Sequence, residues 1–151
     1  MRTGVWVALV VIAAAAAALL WWATPHGIGI YVDSMSYVSS ARGLLSGTGM
    51  GRWTGLGVFK PMTHYPPFYA IVLAGCSLLS KDILLIARML SALGYGLTAF
   101  LLGAIVYRRT AQPLLALLAT ALSAGSGVAL RAFAWAMSEP LYLVLELSGW
   151  L

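Results

Sequence analysis

The polar stretch from Pro25 to Pro67 holds the residue types that could do chemistry. It contains Asp33, one of only four carboxylates in the 151 residues, and both histidines, His26 and His64. A carboxylate close to the end of an apolar segment is costly unless a partner or a ligand uses it. The stretch is therefore predicted to form half of an active site at a membrane surface. The structural alternative is that Asp33 only caps the helix that follows it.

The composition of the whole chain indicates an integral membrane protein. Hydrophobic residues make up 62% of it and charged residues 9%, with a mean hydropathy of +0.93. A soluble domain carries about 25% charged residues, and 151 residues cannot bury so much apolar surface away from water. The net charge of +5 comes from scattered basic residues without a nucleic-acid-binding motif, so nucleic acid is not expected as a partner. The single cysteine, Cys76, excludes a disulfide framework within the chain.

The apolar runs predict an all-α, polytopic membrane protein with about four transmembrane helices, the last of them incomplete. A run of about 20 apolar residues spans the bilayer core. The predicted spans are residues 5–23, 83–107, 114–135 and 141–151. Short cytoplasmic loops favour Lys and Arg, which places Arg2 and the Arg108-Arg109 pair inside and the segment 25–82 outside.

Within the outer segment 25–82, the pattern predicts two short helices and an irregular connection. Helical spacing of larger residues favours an amphipathic helix over 34–46, with Asp33 as its N-cap and Gly47 as its left-handed C-terminal residue. The glycine-rich residues 47–60 are predicted to be irregular. The apolar run 68–80 is too short to span, so it is predicted to be a re-entrant or juxtamembrane helix.

The final apolar run, 141–151, stops after about three turns of helix, with no polar anchor behind it. We therefore expect residues 1–151 to be the N-terminal part of a larger transmembrane module, or a truncated and inactive product.

The order of these features resembles one family of membrane enzymes. An early Asp33 is followed by Y-x-x-x-A-x-x-L-L-x-G-x-G from Tyr37, then Y-P-P-F-Y from Tyr65, a span ending in Arg-Arg, and S-E-P-L-Y-L from Ser138. This arrangement is similar to the N-terminal module of the GT-C type glycosyltransferases that use polyprenyl-phosphate sugars. Protein O-mannosyltransferases and lipid A aminoarabinose transferases belong to that group.

The resemblance implies roles for particular residues. The family carries an essential aspartate at the position of Asp33 and a second acid at the position of Glu139, which makes these two the candidate catalytic residues. Many members have Glu-Lys-Pro where this chain has His64-Tyr65-Pro66, so the lysine expected to meet the lipid phosphate is missing there. Candidate replacements that could bind the donor phosphate are Lys60, His64, Arg88 and Arg131, and the candidate substrate-loop residues are Tyr37 and Tyr65.

The implied reaction is sugar transfer from a polyprenyl-phosphate donor to a protein, lipid or glycan acceptor. The expected location is the periplasmic or extracellular face of a bacterial inner membrane. A second carboxylate could orient the acceptor or hold a divalent metal such as Mg²⁺ or Mn²⁺. The rival interpretation is a non-enzymatic multi-pass protein, such as a transporter piece or an assembly subunit.

Overall fold

The computed structural model describes residues 2–151, with side chains from residue 3 onward, and this part of the chain is mainly helical. The prediction of a helical protein is confirmed, except that residues 47–60 contain a short β-hairpin instead of being wholly irregular. The side chain of Arg2, on which the predicted orientation partly rests, lies outside the described residues. In chain order the elements are α1 (Arg2–Ala23), α2 (Val32–Leu45), β1 (Gly51–Trp53), β2 (Phe59–Pro61), α3 (Pro67–Cys76), α4 (Ile83–Thr110), α5 (Pro113–Ala124), α6 (Gly127–Phe133) and α7 (Glu139–Gly149).

Two helices are long and apolar enough to cross a membrane, namely α1 from Thr3 and α4. The pair α5 and α6 would make a third span, but it is bent by 55° where the sequence predicts one uninterrupted helix over 114–135. Helix α7 has 11 residues, about half of what a span requires. The described residues therefore provide two or three candidate spans, and the fourth predicted span is not shown.

The bend between α5 and α6 has an identifiable cause. Gly125 ends α5, and the hydroxyl of Ser126 caps α6 by accepting a hydrogen bond from the backbone N–H of Ala129 at 3.2 Å. The break leaves carbonyls at the end of α5 without helical partners. The phenol of Tyr95 on α4 donates to the carbonyl of Ala124 at 2.8 Å, so a neighbouring helix satisfies the break.

Helix α4 packs closely against its neighbours because glycines remove side chains from the contacts. A Cβ on Gly96 would lie 2.6 Å from the carbonyl oxygen of Ala13 on α1. A Cβ on Gly103 would clash with the hydroxyl of Thr120 on α5. Small residues at such contacts let apolar helices gain dispersion energy where the surrounding lipid provides no hydrophobic drive.

The segment between α1 and α4 folds back onto the rest of the molecule. Helices α2 and α3 share an apolar cluster with the first turns of α4. Backbone hydrogen bonds join Gly29 to the turn between α6 and α7, from the Gly29 N–H to the Ala134 carbonyl at 2.8 Å and from the Ala136 N–H to the Gly29 carbonyl at 2.9 Å. These bonds bring the polar segment and the turn before Glu139 to one place.

Candidate functional site

Asp33 lies in the first turn of α2 and does not cap it. The N-cap is Tyr31, whose backbone N–H donates to the hydroxyl of Ser34 at 3.1 Å, so the prediction of Asp33 as N-cap is wrong. A carboxylate in the first turn still faces the positive end of the helix dipole. Its Oδ1 accepts a hydrogen bond from the phenol of Tyr65 at 2.6 Å. The predicted left-handed residue after this helix, Gly47, is confirmed with φ +76°.

A cluster of three tyrosines lies next to the Asp33 carboxylate and consists of Tyr37, Tyr65 and Tyr69. The ring of Tyr37 lies 5.5 Å from that of Tyr65 and 5.1 Å from that of Tyr69. The hydroxyl of Tyr37 is 3.1 Å from the hydroxyl of Ser138, the residue before Glu139. The tyrosine cluster therefore links the surroundings of Asp33 to those of Glu139, and two of its members are the predicted substrate-loop residues.

The bond to Asp33 keeps Tyr65 protonated. That hydrogen bond is the largest cause that raises the pKa of Tyr65 above its usual 10.0, followed by partial burial and the charge of the carboxylate. Burial raises the pKa of Tyr69, and the negative charge of Glu139 adds to the effect. Both phenols are therefore hydrogen-bond donors at neutral pH.

The hairpin that replaces the predicted irregular segment has a recognisable turn. The residues Gly55, Leu56 and Gly57 form a three-residue connection, closed by a hydrogen bond from the Thr54 N–H to the Val58 carbonyl at 2.9 Å. Gly57 has φ +71°, the left-handed conformation that such turns need at their last position.

The strands place two cations opposite each other. Arg52 on β1 and Lys60 on β2 are direct cross-strand partners, and both side chains are exposed. Like charges directly opposite in an antiparallel pair are destabilising. The arrangement would be relieved by an anion placed between or above the two side chains.

Arg52 and Lys60 line an open cleft of about 270 Å³, which we call the basic cleft. It contains no carboxylate among its lining residues and has hydroxyl groups beside the cations. Its lining residues are Val32, Ser36, Ser40, Gly51, Arg52, Lys60, Pro61, Met62, Thr63, His64 and Tyr65. Asp33 does not itself line the cleft, and Tyr65, which does, connects the cleft to this carboxylate through its hydrogen bond.

Two of the predicted phosphate-binding residues lie outside the basic cleft. The guanidinium of Arg88 stacks on the ring of Trp21 at 3.8 Å, and its Nε donates to the hydroxyl of Thr24 at 3.0 Å. This arrangement ties the end of α1 to the first turns of α4. Arg131 is exposed on α6 and lines neither this cleft nor the one described next.

Glu139 lines a second cleft of about 240 Å³, which we call the acidic cleft. The side chain of Glu139 is exposed, at the first residue of α7. No Lys, Arg or His lines this cleft, and most of its wall is apolar or aromatic. The lining residues are Pro66, Phe68, Tyr69, Ser138, Glu139, Leu141, Tyr142 and Leu145.

The two clefts lie on either side of the tyrosine cluster. Tyr65 lines the basic cleft and Tyr69 lines the acidic cleft, and both contact Tyr37. Pro140, next to Glu139, is held against α4 at Gly94, where an added Cβ would lie 2.8 Å from the Pro140 Cβ. The fold therefore brings Lys60, His64, Tyr37, Tyr65, Asp33 and Glu139 into one region, and leaves Arg88 and Arg131 outside the two clefts.

Arg52 and Tyr69 were not found by sequence reasoning. Arg52 could have been found from the pattern of Trp53 and Phe59 flanking a glycine-rich connection, which is typical of a hairpin. Tyr69 is the last residue of the Y-P-P-F-Y motif, which was used for the family resemblance and as a helix start without a role for this tyrosine.

The carboxylates provide little for a metal ion by themselves. Among residues 2–151, no three His, Cys, Asp or Glu side chains come together as candidate ligands. Mg²⁺ commonly uses one or two carboxylates together with substrate phosphates, so a metal shared with a bound phosphate stays a prediction. No step proposed below is assigned to a metal.

Comparison of the chain with protein-family models, with curated proteins and with solved structures finds no match.

Proposed function

We propose that the chain is part of a membrane glycosyltransferase that moves a sugar from a polyprenyl-phosphate donor to an acceptor, with inversion at the sugar carbon. The observation that carries the proposal is the basic cleft, because it places Arg52, Lys60 and His64 beside a hydrogen-bonded Asp33. Helices α2 and α3 of the same region pack against the first turns of α4, which is apolar enough to lie in lipid. A donor with a lipid tail and a phosphate head needs a cationic cleft for the phosphate next to an apolar surface for the tail.

The donor phosphate would bind between the cross-strand cations. The donor's phosphodiester monoanion offsets the repulsion between Arg52 and Lys60, as does the dianionic polyprenyl phosphate formed when the sugar leaves. The guanidinium can hold two phosphate oxygens with parallel hydrogen bonds. The hydroxyls of Ser36 and Thr63, which also line the cleft, are further donors to phosphate oxygens. His64, which also lines the cleft, adds an imidazole N–H as a further hydrogen-bond donor.

The chemistry that follows is a single displacement. An acceptor oxygen or nitrogen forms a bond to the anomeric carbon while the bond from that carbon to the phosphate oxygen breaks. The electron pair leaves with the polyprenyl phosphate, and the cations stabilise the charge that develops there. The acceptor's proton passes to a carboxylate, and the attack from the opposite face inverts the sugar carbon.

Asp33 and Glu139 are the carboxylates available for that proton. The bond from Tyr65 fixes the orientation of Asp33 beside the basic cleft, while Glu139 faces the acidic cleft. One acid would take the proton and the other would orient the acceptor. In the location implied by the family resemblance, both would face the periplasmic side of a bacterial inner membrane.

A transporter piece is the second candidate, favoured by the break between α5 and α6. Transporters often build ion or substrate sites where such helices are interrupted. Here Tyr95 already binds a carbonyl at the break and Ser126 caps the next helix, so these groups are not open to a ligand. The two clefts, instead, have polar groups facing open space.

The test is sugar transfer by the intact protein in lipid nanodiscs, with a polyprenyl-phosphate sugar as donor. Asp33→Asn is expected to lower the rate by about 10²- to 10⁴-fold if Asp33 is the base. Asp82→Asn is the matched control, because Asp82 only accepts hydrogen bonds from the Leu84 and Leu85 N–H groups as the N-cap of α4. Equal rates for wild type and Asp33→Asn would remove Asp33 from the mechanism.

A further inference from the structure

The acidic cleft is lined by different residue types from the basic cleft, so the two clefts would suit different ligands. Its polar groups belong to Glu139, Ser138, Tyr69 and Tyr142, and its apolar wall includes Phe68, Leu141 and Leu145. An anionic group would be repelled by Glu139, with no lining cation to compensate. The ligand therefore carries a neutral or positive polar group on an apolar stem.

Tyr69 provides a second, independent observation. Its side chain is 2% exposed, and its hydroxyl has no hydrogen-bond partner among the described residues. Buried hydroxyls in folded proteins are almost always paired, so an unpaired one in the wall of a cleft calls for a partner from outside the chain. By contrast the hydroxyl of Tyr37, in ring contact with Tyr69, is already bonded to Ser138.

Glu139 and Tyr69 differ in the hydrogen bonds that they can make with a ligand. A carboxylate such as Glu139 only accepts hydrogen bonds, whereas the protonated phenol of Tyr69 also donates one. An alcohol satisfies both, because its oxygen accepts one hydrogen bond and its proton donates another. An ammonium group can only donate, and it would leave the phenol proton of Tyr69 without an acceptor.

We infer that the acidic cleft binds the alcohol group of an amphiphile: the hydroxyl lies between Glu139 and Tyr69, and the apolar stem lies along Phe68, Leu141 and Leu145. The inference that an alcohol binds here depends only on Glu139, Tyr69 and the apolar wall of the cleft. Its identification as the acceptor site rests on the proposed function, under which the bound hydroxyl would be the acceptor of the sugar.

The test is photo-crosslinking in nanodiscs with three probes that share one alkyl chain and a diazirine near the head group. The heads are a primary alcohol, an ammonium and a phosphate monoester, and mass spectrometry locates the labelled peptides. The alcohol probe is expected to label residues 66–69 and 138–145 more than the other two do. A headless alkyl diazirine measures non-specific labelling from the bilayer.

Three variants separate the contacts. Glu139→Gln is expected to lower labelling of these residues by the alcohol probe about tenfold, because a charge-assisted hydrogen bond becomes a neutral one. Tyr69→Phe keeps the ring and removes only the hydroxyl, so it is expected to lower labelling a few-fold without loss of thermal stability. Glu146→Gln is the matched control, an exposed acid on the same helix that does not line the cleft, and it should label like wild type.

Equal labelling by the three head groups, or unchanged labelling in Glu139→Gln, would overturn the inference. So would a loss of labelling in Glu146→Gln as large as that in Glu139→Gln. If the alcohol probe binds as described and no sugar transfer occurs, the binding site stands and the proposed function fails. If sugar transfer occurs without alcohol-specific labelling of the cleft, the proposed function stands and the inferred alcohol site fails.

Discussion

The contact between α1 and α4 and the contact between α2 and α3 hold the molecule together by different means. Along α1 and α4 the fit is steric, with Gly96 against the backbone of Ala13. Around α2 and α3 the shared apolar cluster is joined by aromatic and hydrogen-bonded contacts, through Tyr37, Tyr65 and Asp33. Close packing of small residues fixes where helices lie, whereas hydrogen bonds fix where charges and donors point. The first contact is therefore scaffold, and the second is suited to recognition.

The largest expected effect is on the steric contact. Gly96→Ala puts a methyl group 2.6 Å from a backbone oxygen that cannot rotate away, so the helices must separate. We expect a loss of about 1–3 kcal/mol in the free energy of unfolding. Gly75→Ala on α3 is the control, because nothing lies within 4 Å of its added Cβ. Thermal unfolding in nanodiscs measures both, and an equal change in the two variants would contradict the comparison.

A smaller effect is expected at the hydrogen-bonded contact. Tyr65→Phe removes the donor to Asp33 and keeps the ring contact with Tyr37, so we expect a lower unfolding midpoint than wild type. Because the folded-state pKa of Tyr65 is raised, its stabilisation is fully present below the usual pKa of 10.0. It is lost as pH rises through the folded-state value.

The measurement is the unfolding midpoint of wild type and Tyr65→Phe from pH 7 to the alkaline limit of the membrane mimic. The gap between them should be constant up to about pH 10 and shrink above it. Tyr31→Phe is the control, since no hydrogen bond to the Tyr31 hydroxyl is present among the described residues, and it should show no gap. A gap that widens above pH 10 would contradict the assigned bond.

The smallest change in intrinsic stability is expected at the basic cleft. Arg52→Gln removes a like-charge pair with Lys60, so the protein without ligand should unfold at the same temperature or slightly higher, by a few tenths of a kcal/mol. Inorganic phosphate should raise the midpoint of wild type and have a weaker effect on the variant. Arg42→Gln, an exposed position outside the cleft, should keep the wild-type response.

The steric contact and the basic cleft should therefore respond differently, because altering the first lowers stability and altering the second lowers only ligand binding. A clear loss of stability in Arg52→Gln without phosphate, or an unchanged response to phosphate, would show that Arg52 serves the fold instead.

The helices long enough to span were predictable because their signal is local. The runs 5–23 and 83–107 correspond to α1 and α4 within three residues at each end. The start of α5 at Pro113 could also be predicted, since proline suits the first turn of a helix. In each case a continuous apolar stretch of sufficient length decides the structure, whatever it packs against.

Two of the features that were missed depend on contacts far apart in the chain, and two depend on local geometry. The bend after Gly125 is completed by Tyr95, and Asp33 is oriented by Tyr65, which no local pattern reveals. Tyr31 replaces Asp33 as the N-cap, so the composition of the first turn did not identify the helix boundary. Arg52 enters the site through strand register, which depends on a turn in a segment that was predicted to be irregular.

The two backbone hydrogen bonds of Gly29 affect how much the sequence around them can vary without separating the two loops. Both hydrogen bonds use main-chain atoms, so exchanging side chains in either loop leaves the two loops joined. The exception is Gly29 itself, because an added Cβ would lie 2.8 Å from the indole ring of Trp135. Ligand preference could therefore be retuned at many positions, while this backbone-only bridge, together with the Tyr37–Ser138 contact, keeps the two acids in place.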